Sequence, residues 1–309
     1  MSTKRKQDGP KVMDINNWEK EWILALSSNL NTKPIATSGE IFATGMGGSG
    51  IVGEVLKHIT SRGVVFSKLP IRKRFDWVLA ISYSGNTTET IYTMKQMKKL
   101  GAKIIAITSG GKLAEMADYV VKLPEGRLPR DAFPYILSAA LATIGCKKEL
   151  RAAIGAVKKT SLAPARKIVE TLYGKVPVIY SSGWMVAAAK RFKQQLNENA
   201  KMFAFFSKMP DAFHNEIEPF FWNGKSGFIA VIIGNGYLAK MTSKLIPHAF
   251  HIGAKKTTRV LEVVSSIYLL DYVSFKLAEK KGIDRISIPG IVKGRKVISG
   301  LKSFHTKMG

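Results

Sequence analysis

From about residue 40 the chain alternates short apolar runs with longer stretches in which apolar positions recur every three or four residues. The first series predicts strands at 40–45 (EIFATG), 63–68 (GVVFSK), 77–82 (WVLAIS), 103–109 (KIIAITS) and 119–124 (YVVKLP). Between them, helical periodicity predicts helices at 50–60, 87–101, 112–117 and 132–145. Apolar strands separated by amphipathic helices are the pattern of a parallel sheet covered on both faces. A charged helical stretch from about 148 to 174 reads as a connection. A second series follows, with strands at 176–183 (VPVIYSSG) and 227–236 and helices at 184–201 and 261–282. In both series a strand runs into a Gly/Ser turn and then a helix, ATGMGGSGIVGEV in one and VIYSSGWMVAAAK in the other. The chain is therefore expected to be α/β, with two related halves.

Composition narrows the class. A chain of 309 residues with 46% hydrophobic residues is long and apolar enough for two ordinary domains. The basic start, MSTKRKQDGPKV, is not followed by an apolar stretch, and no apolar run reaches the length of a membrane span. Cys146 is the single cysteine, which excludes an internal disulfide framework and fits a reducing cytoplasm. The net charge of +26 fits either a polyanionic partner or a positive field that draws in anionic metabolites. Its lysine pairs are scattered (Lys98-Lys99, Lys147-Lys148, Lys158-Lys159, Lys255-Lys256, Lys280-Lys281), and no nucleic-acid recognition motif accompanies them. Nucleic acid is not expected as a partner.

Two loops carry candidate chemistry. GMGGSG (45–50) sits where a strand meets a helix, so its N–H groups, those of Gly47 and Gly48 among them, can approach a phosphate at the helix's positive end. It also satisfies the GxGxxG dinucleotide fingerprint. That rival expects an acidic residue at the end of the next strand, and none occurs from Val64 through Phe75. SYSGNTTET (82–90) brings Ser82, Ser84, Thr87 and Thr88 to a second helix start, where neutral hydroxyl donors suit a phosphate that binds and leaves. Asn86 and Glu89 have the spacing of a capping box for that helix. The lysine of a nucleotide P-loop is missing.

GMGGSG followed by SYSGNTTET resembles the sugar isomerase (SIS) domain. LNENAK (196–201) and AFHNEIE (212–218) narrow the likeness to the archaeal bifunctional phosphoglucose/phosphomannose isomerases. The resemblance implies two SIS subdomains, 18–147 and 165–309, each a mostly parallel sheet flanked by helices. It implies a cytoplasmic homodimer that interconverts glucose 6-phosphate, and mannose 6-phosphate, with fructose 6-phosphate, using neither cofactor nor metal. Ser49, Ser82, Ser84 and Thr87, with Gly47 and Gly48, are then expected to hold the phosphate. Glu198 is expected to be the base between carbons 1 and 2, Arg130 the enediolate's cation, and His214 of the partner subunit a ring-opening catalyst. A C-terminal lysine assists ring opening in this family, and Lys302 is the expected residue. The chemistry is coherent in itself: moving a carbonyl by one carbon needs a carboxylate that reaches both carbons, an acid/base at the ring oxygen and a positive charge.

The C-terminal motif departs from the family, in which a Thr-Pro pair precedes the lysine and the threonine accompanies mannose 6-phosphate use. Aligning SIPGIVKGRKVISGLK on Pro289 puts Ile288 at the threonine and Arg295 near the lysine. Aligning on Leu301-Lys302, the preferred choice, puts Arg295 at the threonine, and Lys296 is a further basic neighbour. Neither retains the threonine. The rival functions are a non-catalytic sugar-phosphate-binding regulator and an SIS enzyme of amino-sugar phosphates. His248 and His251 lack acidic or Cys neighbours for a metal site. The aromatic runs MFAFF (202–206) and PFFW (219–222) read as core or dimer interface.

Overall fold

The computed structural model describes residues 10–222, 227–253 and 257–300. The N-terminal half holds β1 (Ile41–Gly45), β2 (Val65–Phe66), β3 (Trp77–Ile81), β4 (Lys103–Thr108) and β5 (Tyr119–Lys122), all parallel in the order β2-β1-β3-β4-β5. The C-terminal half holds β6 (Val176–Ser181), β7 (Phe205–Lys208), β8 (Phe228–Ile233) and β9 (Phe250–Ile252), parallel in the order β7-β6-β8-β9. Helices α1 (Trp18–Ser27), α2 (Gly47–Ile59), α3 (Thr88–Lys99), α4 (Gly111–Met116), α5 (Phe133–Thr143) and α6 (Lys147–Lys158) belong to the first part of the chain. They are followed by α7 (Pro164–Leu172), α8 (Val186–Glu198), α9 (Pro219–Trp222), α10 (Tyr237–Leu245), α11 (Arg259–Lys280) and α12 (Pro289–Gly300). The α/β expectation holds.

Burial explains the strands. All five residues of β1 are buried, as are the last five of β4, so both sheet faces are covered and the runs need no polar alternation. The strand expected at 63–68 shrinks to two residues. Beyond it, the Lys68 carbonyl accepts from the Thr44 and Thr93 hydroxyls, and these side-chain bonds draw the chain off the ladder.

The stretch expected to be a connection is part of the core. Leu150, Ala153, Ala156 and Val157 of α6 and Ala165, Ile168, Val169 and Leu172 of α7 are buried, and both helices pack against α11. One continuous apolar cluster runs from Ile41 and Val52 in the first half to Ile179, Phe192 and Val231 in the second. α1 closes it with Trp18 and Trp22, whose four-residue spacing puts both indoles on one face. Trp22 meets Tyr268 edge-on at 5.4 Å and Trp18 meets Phe275 at 4.8 Å. Cys146 is buried in the same cluster, and burial pushes its thiol up to about 11.

The helices that follow the first strand of each half, α2 after β1 and α8 after β6, pack side by side. Their entries match: Met46 is extended and Gly47 has φ +52°, while Ser182 is extended and Gly183 has φ +57°. Glu54 of α2 bridges the pair, 3.6 Å from His58 and 3.3 Å from Lys190 of α8. The His58 hydrogen bond and Lys190 hold its carboxyl at about 2, below the ordinary 4.5, against the opposing effect of burial. A depressed carboxylate stabilises the fold fully above its unfolded value and loses that contribution as pH falls through its folded value. Wild type and Glu54→Gln should therefore differ most above pH 4.5 and converge toward pH 2 in denaturant-unfolding free energy. A pH-independent gap would show that the bridge contributes no such stability.

Candidate active site

The glycine loop leaves β1 at Gly45 and enters α2 through the positive φ of Gly47. Beside it, the serine loop leaves β3. Ser82 is buried, and its Oγ lies 2.9 Å from Thr87 Oγ1, while Ser84 is exposed and its Oγ accepts from the Asn86 N–H at 3.4 Å. Ser49 joins the loops, its Oγ accepting from the Tyr83 N–H at 3.4 Å. Gly47, Gly48, Ser49, Ser82, Ser84 and Thr87 thus belong to one pair of adjoining loops at the C-terminal ends of β1 and β3, each loop opening into a helix N-terminus.

The capping box expected at Asn86 is not formed. Helix α3 is entered from Thr87, and Asn86 Oδ1 instead accepts from the Lys112 N–H at 3.1 Å, tying the serine loop to α4. A cross-loop partner has taken the side chain that a local cap would have used.

Tyr83 leads from these loops to Arg130. Its hydroxyl donates to the Pro124 carbonyl at 2.7 Å and accepts from the Arg127 N–H at 2.8 Å, fixing the segment that enters α5. Arg130 is 3% exposed. Its Nε donates to Asn199 Oδ1 at 2.7 Å, Nη2 donates to the Arg285 carbonyl, and Nη1 lies 3.7 Å from Glu198 Oε2. Burial pulls Arg130 below the usual guanidinium range, while Asp131 and then Glu198 act in the opposite sense. Glu198 ends α8, with its side chain 24% exposed, so the carboxylate is both paired and reachable. A Cβ on Gly48 would sit 3.9 Å from Arg130 Cα. The phosphate-type cradle and the carboxylate are therefore joined through one arginine.

Lys201 and Arg285 had no role in the sequence reading. Lys201 has φ +49°, a left-handed turn that ends the α8 segment, and its Nζ donates to the Glu198 carbonyl at 2.5 Å and the Arg285 carbonyl at 3.2 Å. Burial, and then Arg130, lower its ammonium below the usual value. Arg285 meets both oxygens of Asp131 at 3.2–3.3 Å and stacks on Phe275. Lys201 stood in the quoted LNENAK motif, but Arg285 had no local signal.

His214, itself exposed, closes the short turn Asp211–His214, which packs against β7 with Ala212 buried. No hydrogen bond or ion pair among the described residues joins it to Glu198 or Arg130. Arg295 and Lys296 lie exposed on α12, and Lys302 lies outside the described residues.

Two parallel sheets, with a Ser/Thr cradle at the switch point of the first, define a SIS-type protein. Residues 35–144 match the SIS domain family, and residues 162–298 match the family described as bacterial phospho-glucose isomerase C-terminal SIS domain. The fold is similar to that of glucosamine-6-phosphate deaminase from Thermotoga maritima, with a TM-score of 0.64 at 14% identity over 89% of this chain and 96% of that one. Sequence relatives include the bifunctional phosphoglucose/phosphomannose isomerase of Thermoplasma acidophilum, 31% identical over 85% of this chain and 91% of that protein. Another is the D-glucosamine-6-phosphate 4-epimerase of Sulfolobus acidocaldarius, 33% identical over 86% and 90%. The chain belongs to the bifunctional phosphoglucose/phosphomannose isomerase family, a family of sugar-phosphate isomerases.

Proposed function

We propose that this protein is an aldose–ketose isomerase that interconverts glucose 6-phosphate, and mannose 6-phosphate, with fructose 6-phosphate. The observation that carries the reading is the Glu198–Arg130 pair at 3.7 Å, with Arg130 packed against the phosphate-type glycine loop. In this reading residues 18–147 supply the cradle and 165–309 the base. Ser49, Ser82, Ser84 and Thr87, with the N–H groups of Gly47 and Gly48, hold the 6-phosphate. Once the ring is open, the Glu198 carboxylate takes the proton from carbon 2, and the electron pair moves to the carbonyl oxygen to give an enediolate. Arg130 stabilises that oxygen. Glu198 then returns the proton to carbon 1 as the carbonyl forms at carbon 2 and the carbon 2 hydroxyl proton passes to the carbon 1 oxygen, so that no atom is gained or lost.

Ring opening falls to His214 of the partner subunit, assisted by Lys302. The turn bearing His214 packs on the edge strand β7, whose Phe205 is 51% exposed, and Phe203 just before the strand and Trp222 at the end of α9 are 78% and 79% exposed. An apolar edge with no strand paired beyond it among the described residues favours a second copy as the occupant of this face. The enzyme acts as a cytoplasmic homodimer, and its excess positive charge favours capture of an anionic sugar.

A second reading, an amino-sugar 6-phosphate as substrate, is favoured by the relative from Sulfolobus acidocaldarius and by the missing C-terminal threonine. Both are tested together. Fructose 6-phosphate is incubated with the enzyme and EDTA, and glucose 6-phosphate is read by a coupled dehydrogenase, while glucosamine 6-phosphate is followed by proton NMR. Formation of glucose 6-phosphate is expected. Its absence, with change only in the amino sugar, would replace the first reading by the second.

A further inference from the structure

Behind Arg130 lies a hydrogen-bonded ring of buried groups. Arg191, Gln195 and Asn199 recur at four-residue spacing along one face of α8 and its end, and all three are buried. Asp271 and Ser274, three apart on α11, face them and are buried too. The Arg130 Nε–H donates to Asn199 Oδ1 at 2.7 Å, and Asn199 Nδ2 donates to Ser274 Oγ at 2.9 Å. The Ser274 hydroxyl donates to the Asp271 carbonyl at 2.6 Å. The Asp271 carboxylate accepts from Arg191 Nε at 3.0 Å and from Nη2 at 2.5 Å, and the same Nη2 donates to the Arg130 carbonyl at 3.1 Å. The ring closes on the residue it started from.

Arg191 has further contacts. Its guanidinium stacks 4.0 Å from the Phe133 ring centroid at the start of α5. Its Nη1 lies 4.0 Å from where a Cβ on Gly48 would sit. One planar, permanently charged fork therefore touches the glycine loop, the Arg130 backbone and α11 together. A buried Arg–Asp pair is a weak source of stability, because desolvating both ions offsets most of their attraction. What it supplies here is position.

We propose that Arg191, Asn199, Asp271 and Ser274 are positioning residues that aim the Arg130 guanidinium at the enediolate oxygen, an inference that rests on the reading of Arg130 as the enediolate's cation. None of the four needs to touch substrate. Arg130 has its backbone held by Arg191 and its side chain held by Asn199 and the Arg285 carbonyl, which turns its remaining nitrogen, Nη1, toward Glu198.

The test uses two ligands on the full-length protein. 5-Phospho-D-arabinonate carries a carboxylate where the enediolate charge develops, and D-arabinitol 5-phosphate carries a neutral alcohol there. Wild type should bind the aldonate more tightly by calorimetry. Ser274→Ala removes a hydroxyl that touches neither loop, and Arg191→Lys keeps the charge but loses the fork. Ser274→Ala should weaken aldonate binding and kcat by about 10-fold, and Arg191→Lys by about 10- to 100-fold, as small misplacements of a catalytic group do. Alditol binding should hold within about 2-fold for Ser274→Ala, with melting temperature little changed. In an Arg130→Lys background Ser274→Ala should add almost nothing, because its effect passes through Arg130.

Equal weakening of both ligands by Ser274→Ala, or an undiminished effect in the Arg130→Lys background, would overturn the proposal. So would a wild type without aldonate preference. A wild type without isomerase turnover would overturn the reaction alone, since loss of aldonate preference in Ser274→Ala would still support the ring.

Discussion

Replacing Glu198 with glutamine is expected to lower kcat for fructose 6-phosphate by about 10²- to 10⁴-fold, with KM changed little. Glutamine keeps the shape and a polar oxygen near Arg130 but cannot take a proton from carbon. On the proposed reading the phosphate contacts come from other elements, the loops after β1 and β3, so affinity for the 6-phosphate should survive. Arg130 keeps its bonds to Asn199 and the Arg285 carbonyl, so the variant should fold, with a melting temperature within a few degrees of wild type. Steady-state kinetics with the coupled assay provide the check. Undiminished turnover would remove Glu198 from the chemistry, whereas a rise in KM at constant kcat would make it a binding residue. If wild type binds sugar phosphates without converting them, the non-catalytic regulator is the better reading.

The second large effect is expected at Gly85, at the tip of the serine loop. Its φ of +66° is in the left-handed region, and a Cβ there would strike the Gly110 carbonyl oxygen. Backbone cannot rotate aside as a side chain can, so the loop itself must move. Left-handed strain and the collision together should cost about 3 kcal/mol or more. That corresponds to a drop in Tm of roughly 5–10 °C for a chain of this size. Gly85 also accepts from the Leu113 N–H at 2.9 Å, so displacing it loosens α4 and the Asn86 contact as well. Gly85→Ala should therefore raise KM for phosphorylated sugars as well as lower Tm, with calorimetry and kinetics as the two readouts. A variant with wild-type KM and Tm would mean that the loop adapts freely and that its geometry does not govern binding.

The first half of the fold was largely legible because its strands are continuously apolar and its helices periodic over whole turns. β7 was not, because only Phe205 and Phe206 of the apolar run MFAFF (202–206) belong to it, and the run's exposed Phe203 and Phe205 set against buried Met202 and Ala204 give no continuous core-strand signal. Helices α1, α10 and α12 went unread, the first despite two tryptophans that anchor the core. Short motifs pointed to Glu198 and the serine loop as candidates because their residues lie close together in the chain. The Arg191–Asp271 pair joins residues 80 apart in sequence, so no spacing rule could find it. The Asn86 capping box failed for a related reason, since a distant N–H competed with the local one.

The buried thiol in the core has a practical side. Cys146 is the sole cysteine in the sequence, and its burial, which also pushes its thiol up to about 11, is expected to keep it unreactive toward ordinary thiol reagents. Any cysteine placed on the surface therefore becomes a unique attachment point without prior deletion of a native one. A spin label or fluorophore at an exposed position such as Phe203 or Trp222 would report on its own surroundings alone, turning that position into a gauge of whether a second chain comes near it.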